Sequence, residues 1–308
     1  MKRQLAWLLV LLAAAALPLL LSSYHVDLAT RILIFAVLAM SIDVLAGFVG
    51  RTSLCHGAIF GVATYVVIWA SAKAGWAALP AMAAGVLAAT LVAALFGVLA
   101  VRTRGVYFLL LTVALGMVVW GVCLRWTTVT GGENGLRGQD MRPALLVARE
   151  NFYWLVLAVA ALCSWGMWRF VNSPFGLSLR GIRDSESRMR ALGYNVPLHL
   201  FVGFAVSGFF AGVAGAMYAF FNEYVSPTSV AMAQSVAGLL MAIVGGVGTL
   251  FGSFIGAAAI ILLENTVSWY TDRWQSVLGL VFIFTMIFAP EGILGGLRRL
   301  AASKGRTR

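Results

Sequence analysis

Residues 234–263 read QSVAGLLMAIVGGVGTLFGSFIGAAAIILL and contain no charged side chain. A membrane-spanning helix needs about 20 apolar residues to cross about 30 Å of hydrocarbon, so this stretch is too long for one untilted helix. Four glycines interrupt it: Gly245, Gly246, Gly248 and Gly252. Because glycine tolerates the backbone conformations of a tight turn, the stretch predicts two short apolar helices joined by a turn at membrane depth.

The rest of the chain has the composition of a membrane protein. Of its 308 residues, 61% are hydrophobic and 11% are charged, whereas about half of a soluble domain is apolar and about a quarter is charged. Apolar runs predict eight more spans near residues 5–21, 28–49, 58–72, 77–101, 105–124, 152–170, 200–221 and 274–289. The predicted fold is an all-α polytopic membrane protein with about ten transmembrane helices, some short or broken, forming one domain over residues 1–308.

Charge distribution predicts the orientation. The chain has 22 Lys and Arg against 11 Asp and Glu, and cytoplasmic loops usually hold such an excess. If residues 234–263 cross twice, ten crossings place both termini and most basic residues in the cytoplasm. The run 5–21 follows Lys2 and Arg3 but exceeds the about 7–15 residues of a signal-peptide apolar region, so we expect it to remain as the first helix.

The loop over residues 173–199 is the most informative polar stretch. It predicts one short amphipathic cytoplasmic helix that Gly193 ends. Its apolar residues at near-helical spacing are Leu179, Ile182, Met189 and Leu192. A helix of this kind can dock into a partner or lie in the membrane interface. The residues alone are equally compatible with a solvated loop whose arginines follow the positive-inside rule.

Several catalytic chemistries have no support in the sequence. The three lysines, Lys2, Lys73 and Lys304, do not follow a glycine, so the chain has no Gly-Lys-Ser/Thr phosphate-binding loop and cannot be an ATPase of that type. The histidines and the three cysteines are too widely spaced for a sequence-local metal motif. We therefore predict no catalytic, metal-binding or cofactor-binding residues, and the scattered basic residues do not suggest nucleic-acid binding.

Five separated motifs resemble one known family. They are LAGFVGRTSLCHGAIFGVATY at 45–65, TGGENGL at 130–136 within a predicted external loop over 125–151, the 173–199 loop with Arg183-Asp184-Ser-Glu186 and Ala191-Leu192-Gly193, GGVGTLFG at 245–252, and APEGI at 289–293. Together, over about residues 28–297, they resemble the permease subunits of ATP-binding-cassette importers for branched-chain amino acids and related hydrophobic amino acids or amides.

This resemblance implies a type II importer-like permease in the bacterial inner membrane that forms half of a transmembrane pathway. The implied partners are a second homologous permease, two cytoplasmic ATP-binding subunits that hold the ATP and Mg, and an external substrate-binding protein. A homodimeric pathway remains open. The 173–199 loop is then the coupling segment, and its predicted ATPase-coupling residues are Arg180, Arg183, Glu186, Arg188, Ala191, Leu192 and Gly193.

The predicted translocation-pathway residues are Asp43, Ser53, His56, Gly245, Gly246 and Gly248. The chain carries Asp43, Arg51 and Cys55 where the family pattern has Asn, Gln and Gly. A carboxylate in a span costs about 3 kcal/mol unless it is paired, so Asp43 is expected either to pair with a nearby helix or to contact the ammonium group of a passing amino acid. Two other functions remain: a related importer for urea, short amides or a sugar, and an ion-coupled secondary transporter or channel that works alone.

Overall fold

A computed structural model of the chain describes residues 14–19, 22–138, 141–271, 273–288 and 292–295, which are almost entirely helical. Residues 14–19 are helical, and the rest of the predicted span 5–21 lies outside the described residues. The further helices are α1 (Ser23–Asp43), α2 (His56–Ala72), α3 (Ala78–Ala100), α4 (Val106–Arg125), α5 (Thr127–Thr130), α6 (Arg149–Val171), α7 (Pro174–Asp184), α8 (Glu186–Ala191), α9 (Val196–Asn222), α10 (Met232–Gly245), α11 (Gly252–Val267) and α12 (Trp274–Phe288).

Among the described residues, five segments are long and apolar enough to cross a membrane, and they confirm the prediction of an all-α polytopic membrane protein. They are Ser23–Val49, Ala78–Ala100, Val106–Arg125, Arg149–Val171 and Val196–Asn222. The apolar helices α2, α10 and α11 have only 14 to 17 residues, which is roughly 21–26 Å at 1.5 Å per residue. The total of ten crossings therefore stays a prediction.

The uncharged stretch 234–263 folds as its glycines predict. Helix α10 ends at Gly245 and α11 begins at Gly252. Gly252 lies against Gly245, and Gly256 lies against Met241 further back along α10, so the two helices run antiparallel. A Cβ atom on Gly256 would lie 2.8 Å from the backbone nitrogen of Gly245. Glycine thus lets the two backbones touch, as at close helix contacts in membranes.

The predicted span 28–49 changes helix type near its end, and its apolar sequence did not reveal this change. The α-helical part ends at Asp43, and Val44–Val49 form a π-helical turn. Gly50 then ends the element with φ 76°, a left-handed conformation that glycine adopts without steric cost. Widened turns of this type occur often at functional sites.

Small residues let α9 pack closely against α2 and α3. Gly208 faces Ala93 of α3, Gly212 faces Ala89 of α3, and Gly215 faces the carbonyl oxygen of Phe60 in α2. This small-residue spacing permits backbone approach where lipid provides no hydrophobic drive between helices. On the outer side of α3, by contrast, Leu91 is 70% exposed, which suits contact with lipid chains.

The predicted external loop, residues 125–151, is ordered by backbone pairing over its described part. Strand β1 (Leu136–Arg137) pairs antiparallel with β2 (Tyr224–Val225), and Leu136 faces Val225. Gly131, Gly132 and Gly135 have φ values of 76°, 60° and 68°, so the Thr-Gly-Gly-x-x-Gly motif supplies left-handed turn positions. Arg142 donates to the Phe220 and Phe221 carbonyl oxygens at 2.7 and 2.9 Å. It thereby satisfies carbonyl groups at the end of α9.

Candidate coupling and translocation site

The coupling segment consists of two helices, so the prediction of one amphipathic helix is wrong. Ser185 separates α7 from α8 in an extended conformation, and its hydroxyl accepts a hydrogen bond from the Arg188 N–H at 3.4 Å. A serine that caps a new helix in this way ends the preceding one. The predicted stop at Gly193 is confirmed, because that residue has φ 85° directly after α8.

Three of the four predicted apolar residues face the protein interior. Leu179, Ile182 and Met189 are buried, whereas Leu192 is 67% exposed. The prediction that Leu192 lies on the apolar face assumed one helical period that continues through Ser185. Because the chain restarts in a second helix there and α8 ends at Ala191, that period does not extend to Leu192.

Two arginines of α7 point toward the π-helical turn of α1. Arg183 donates a hydrogen bond to the carbonyl oxygen of Gly47, and its aliphatic carbons fill the space where a side chain on Gly50 would lie. Arg180 places its guanidinium carbon 5.0 Å from the Phe48 ring centroid and donates to the Val171 carbonyl oxygen at 2.9 Å. Both side chains therefore tie the coupling segment to membrane helices.

Glu186 forms a second link at the start of α8. Its carboxylate lies 3.0 Å from Arg104, 2.8 Å from Arg190 and 3.6 Å from Arg51. Arg104 belongs to the loop between α3 and α4, and Arg51 follows the π-helical turn, so one carboxylate joins three segments. Burial lowers the pKa of Arg51, and the Glu186 charge partly offsets this effect. Arg51 was not predicted as a site residue, although its replacement of the family Gln was a signal.

The seven predicted coupling residues thus divide into two groups. Arg180, Arg183 and Glu186 contact membrane helices or the loops that connect them. The remaining four, Arg188, Ala191, Leu192 and Gly193, are exposed at the end of α8. The second group is available to a partner, and the first group can pass a displacement of α7 and α8 to the helices.

The two glycine-interrupted segments meet in the interior, and we call Asp43–Gly50 together with Gly245–Gly252 the glycine junction. A Cβ on Gly47 would lie 2.6 Å from Gly248 Cα, so the two backbones are in direct contact. Both carboxylate oxygens of Asp43 accept backbone hydrogen bonds, from Gly248 at 2.6 Å and from Leu250 at 2.9 Å. Asp43 therefore pairs with backbone N–H groups of the turn between α10 and α11. Its side chain is fully buried.

Each junction glycine has a specific geometric role. Gly245 lies against the carbonyl group of Gly252, where no side chain fits. Gly246 and Gly248 have φ values of 113° and 78°. Gly292, from the 289–293 motif, also reaches the junction, since a Cβ there would lie 2.5 Å from Gly246 Cα. Three motifs that are distant in sequence therefore converge on one point; Ala289–Glu291 lie outside the described residues.

Ser53 and His56 belong to a buried hydrogen-bond chain beside the junction. His56 Nδ1 lies 3.2 Å from the Ser53 hydroxyl, and Nε2 lies 2.7 Å from the Ser207 hydroxyl. Ser207 donates its only hydroxyl proton to the Ser41 carbonyl oxygen at 2.5 Å, so His56 Nε2 must be the donor to Ser207. This series of hydrogen bonds connects α1, α2 and α9. Ser207 was not predicted, because a single serine in a glycine-rich helix has no distinctive pattern.

A partly buried ion pair was also missed. Arg31 lies inside the predicted span 28–49, and its guanidinium is 2.8 Å from the Glu264 carboxylate of α11. The two side chains remain 32% and 20% exposed. In the part of the chain that the structure describes, no group of three or more His, Cys, Asp or Glu side chains is arranged to hold a metal ion.

Comparisons with known proteins agree with the motifs. Residues 24–289 match the family model described as branched-chain amino acid transport system / permease component. The high-affinity branched-chain amino acid transport system permease protein LivM of Escherichia coli K12 is 28% identical over 95% of this chain and 75% of its own length. LivH of the same organism is 23% identical over 85% of this chain and 91% of its own length.

A probable LivM of Methanocaldococcus jannaschii is 23% identical over 62% of this chain and 56% of its own length. No solved structure matches the chain. The family model covers all of α1 to α12 except the first residue of α1. The chain therefore belongs to the permease family of branched-chain amino acid transport systems.

Proposed function

We propose that this chain is the transmembrane permease subunit of an ATP-binding-cassette importer that moves branched-chain or other hydrophobic amino acids across the bacterial inner membrane. Partner subunits hydrolyse the ATP. The observation that carries the proposal is the hydrogen bond from Arg183 of the coupling segment to Gly47 in the glycine junction. It gives a partner that moves the segment a direct mechanical connection to both interrupted helices.

The proposed assembly contains a second permease, two ATP-binding subunits and an external substrate-binding protein. Similarity to both LivM and LivH of Escherichia coli, with the higher identity to LivM, supports a LivM-like role beside a homologous, non-identical permease. Purification of the complex with a tag on this chain alone distinguishes this pair from a homodimer by mass. The positive-inside rule supports placing both termini in the cytoplasm.

In the proposed cycle, the exposed residues at the end of α8 contact an ATP-binding subunit. When the two ATP-binding subunits close, they displace α8, and α7 moves with it. Arg183 and Arg180 pass the movement to the π-helical turn, and the contact of Gly47 with Gly248 passes it to the α10–α11 turn. Coupling of this kind requires contacts that differ between two states, and a side-chain hydrogen bond to a single carbonyl group can be exchanged between them.

The candidate pathway residues act in this proposal as parts of a moving wall. Asp43, Ser53 and His56 have no exposed surface within the single chain, so movement at the glycine junction is required before a substrate can reach them. Because the external binding protein selects the cargo in the proposed assembly, the permease needs only a weak and transient site. Gly245, Gly246 and Gly248 contribute backbone groups to that wall.

Reconstitution in liposomes tests the proposal. The chain assembled with its partner subunits and the binding protein should take up radiolabelled leucine only when ATP is present. The chain alone, and a complex whose ATP-binding subunits cannot hydrolyse ATP, should take up none. Uptake by the chain alone would identify a secondary transporter or channel and overturn the proposal. ATP-dependent uptake of urea, acetamide or a sugar in place of leucine would identify a related importer instead.

A further inference from the structure

A groove opens between the end of α3 and the start of α9, on the same face as the coupling segment. It encloses about 670 Å³. Its lining residues are Val98, Val101, Arg102, Arg104, Arg190, Asn195, Pro197, Leu198 and Phe201. The groove adjoins the site described above, because Arg190, Asn195, Pro197 and Leu198 belong to the coupling segment, but none of the predicted coupling or pathway residues lines it.

One end of the groove carries excess positive charge. Three arginines line it, and Glu186 is the carboxylate that pairs with two of them, Arg104 at 3.0 Å and Arg190 at 2.8 Å. Arg102 is exposed and has no hydrogen-bond or ion-pair partner among the described residues. Guanidinium groups bind phosphate oxygens through paired hydrogen bonds. The arginine end therefore offers an unoccupied phosphate-binding group beside two partly paired ones.

The other end of the groove is apolar and leads into the lipid-facing surface. Val98 and Leu198 are 46% and 51% exposed. Along α3, Val98 continues a stripe that includes Leu91 and Leu95, which are 70% and 60% exposed. The stripe has the helical spacing of one continuous face. A molecule in the groove would thus have its acidic group at the arginines and its apolar part along α3.

We propose that this groove binds an anionic phospholipid, with the phosphate on Arg102, Arg104 and Arg190 and the first part of an acyl chain along Val98, Leu198 and Phe201. Basic pockets at the ends of transmembrane helices provide this combination of charge and apolar surface. An acidic segment of a partner protein would use the arginines but would gain little from an apolar wall that continues into the bilayer. The proposal does not depend on the ATP-driven function.

Lipid titration of the purified full-length chain, followed by native mass spectrometry, tests the proposal. The probes are dioleoyl phosphatidylglycerol, dihexanoyl phosphatidylglycerol, dioleoyl phosphatidylcholine and inorganic phosphate. The dioleoyl anionic lipid should bind most tightly. One arginine near an anionic lipid contributes about 1 kcal/mol, so Arg102→Ala should weaken its binding about fivefold. Removal of Arg102 breaks no ion pair in the described structure, which keeps the variant folded.

Arg125→Ala is the matched control, since it removes one exposed arginine from the opposite end of α4. It should leave lipid binding unchanged. A second variant, Val98→Trp, fills the apolar end and should weaken binding of the dioleoyl lipid more than that of the dihexanoyl lipid. This difference separates loss of the groove from a general loss of charge.

Five results would overturn the proposal. If Arg102→Ala and Arg125→Ala bind the dioleoyl anionic lipid equally well, Arg102 does not contact its phosphate. If dioleoyl phosphatidylglycerol and dioleoyl phosphatidylcholine bind equally well, the groove does not select an anionic headgroup. Equal binding of the dihexanoyl lipid, or displacement by inorganic phosphate at the same concentration, would assign a phosphate site without a lipid. Loss of the bound lipid when the chain assembles with its ATP-binding subunits would assign the groove to a protein partner.

Discussion

The predicted external loop and the predicted coupling segment are joined to the membrane helices in different ways. In the external loop, β1 pairs with β2 through the backbone, and Arg142 donates to two carbonyl groups at the end of α9. In the coupling segment, the polar links are single side chains, Arg183 to Gly47 and Glu186 to Arg51 and Arg104. A side-chain link can break and re-form while both helices stay intact, whereas the loop is also held by strand pairing, whose release breaks backbone hydrogen bonds. We therefore call the β1–β2 pairing with the Arg142 contacts the fixed cap. We call the contacts of Arg183 and Glu186 the joint.

Of the substitutions that test this comparison, one that fills the glycine junction should change the stability of the chain most. In Gly47→Val, the new side chain would collide with the backbone of Gly248 and with the Asp43 carboxylate. Overpacking at a backbone contact should destabilise the chain by about 3 kcal/mol or more, which thermal unfolding in detergent measures. The control is Gly121→Val in α4, where a Cβ meets nothing within 4 Å. Equal stability of the two variants would contradict the close contact.

Asp43→Asn should have the next largest effect. The amide oxygen can accept only one of the two backbone hydrogen bonds, from Gly248 or Leu250, and the amide nitrogen would face the other N–H group. Loss of a hydrogen bond to a charged acceptor costs about 1.5–3 kcal/mol. Chemical unfolding in detergent checks this value. Asp184→Asn, at a carboxylate that is 67% exposed, should change stability little; a stable Asp43→Asn chain would contradict the role of the carboxylate.

Arg142→Ala should loosen the fixed cap without affecting the joint. The Phe220 and Phe221 carbonyl groups would lose their donor, which should lower the free energy of unfolding by about 1–2 kcal/mol. We expect normal substrate stimulation of ATP hydrolysis in the assembled complex, measured at a temperature where the variant is folded. Lost stimulation in this variant would mean that the external loop also transmits movement, and the distinction between cap and joint would fail.

Glu186→Gln should have the smallest effect on stability. The Glu186 side chain is 20% exposed, and the two arginines closest to it, Arg104 and Arg190, are 59% and 51% exposed, so loss of these two pairs should cost about 0.5–1 kcal/mol. The third partner, Arg51, keeps its hydrogen bond to the Thr103 carbonyl oxygen. The difference from the unmodified chain should shrink at high salt, because salt screens exposed ion pairs. Thermal unfolding at low and high salt measures it, with Glu133→Gln in the exposed part of the external loop as control. A difference that does not depend on salt would argue against ion pairing.

Hydrophobic length and glycine position were enough to predict most of the fold. The turn between α10 and α11 was predicted because an uncharged stretch of that length with four glycines is too long for one untilted helix, and because two crossings place most basic residues on the cytoplasmic side. The π-helical turn was not predicted, since Val44–Val49 are apolar and the hydropathy of a widened turn equals that of an α-helix. The break at Ser185 was missed for a similar reason: the arginines on both sides suit a continuous helix, and only the serine cap interrupts it.

Part of the candidate site was also accessible from the sequence. Motifs placed Asp43, His56 and the glycines together in one functional group, and the structure brings Asp43 and the glycines into contact at one junction. Pairwise partners were not accessible, because neither the contact of Asp43 with the Leu250 N–H nor that of Arg183 with Gly47 leaves a spacing pattern in one sequence. Whether these residues contact substrate stays a prediction.

Substrate-stimulated ATP hydrolysis by the assembled complex is the most direct test of the proposed joint. Arg183→Ala removes the hydrogen bond to Gly47 and leaves the exposed residues of α8 in place. We predict that this variant assembles, retains basal ATP hydrolysis and loses stimulation by the substrate-loaded binding protein, while Arg142→Ala keeps it. Normal stimulation together with normal leucine uptake in Arg183→Ala would contradict the account.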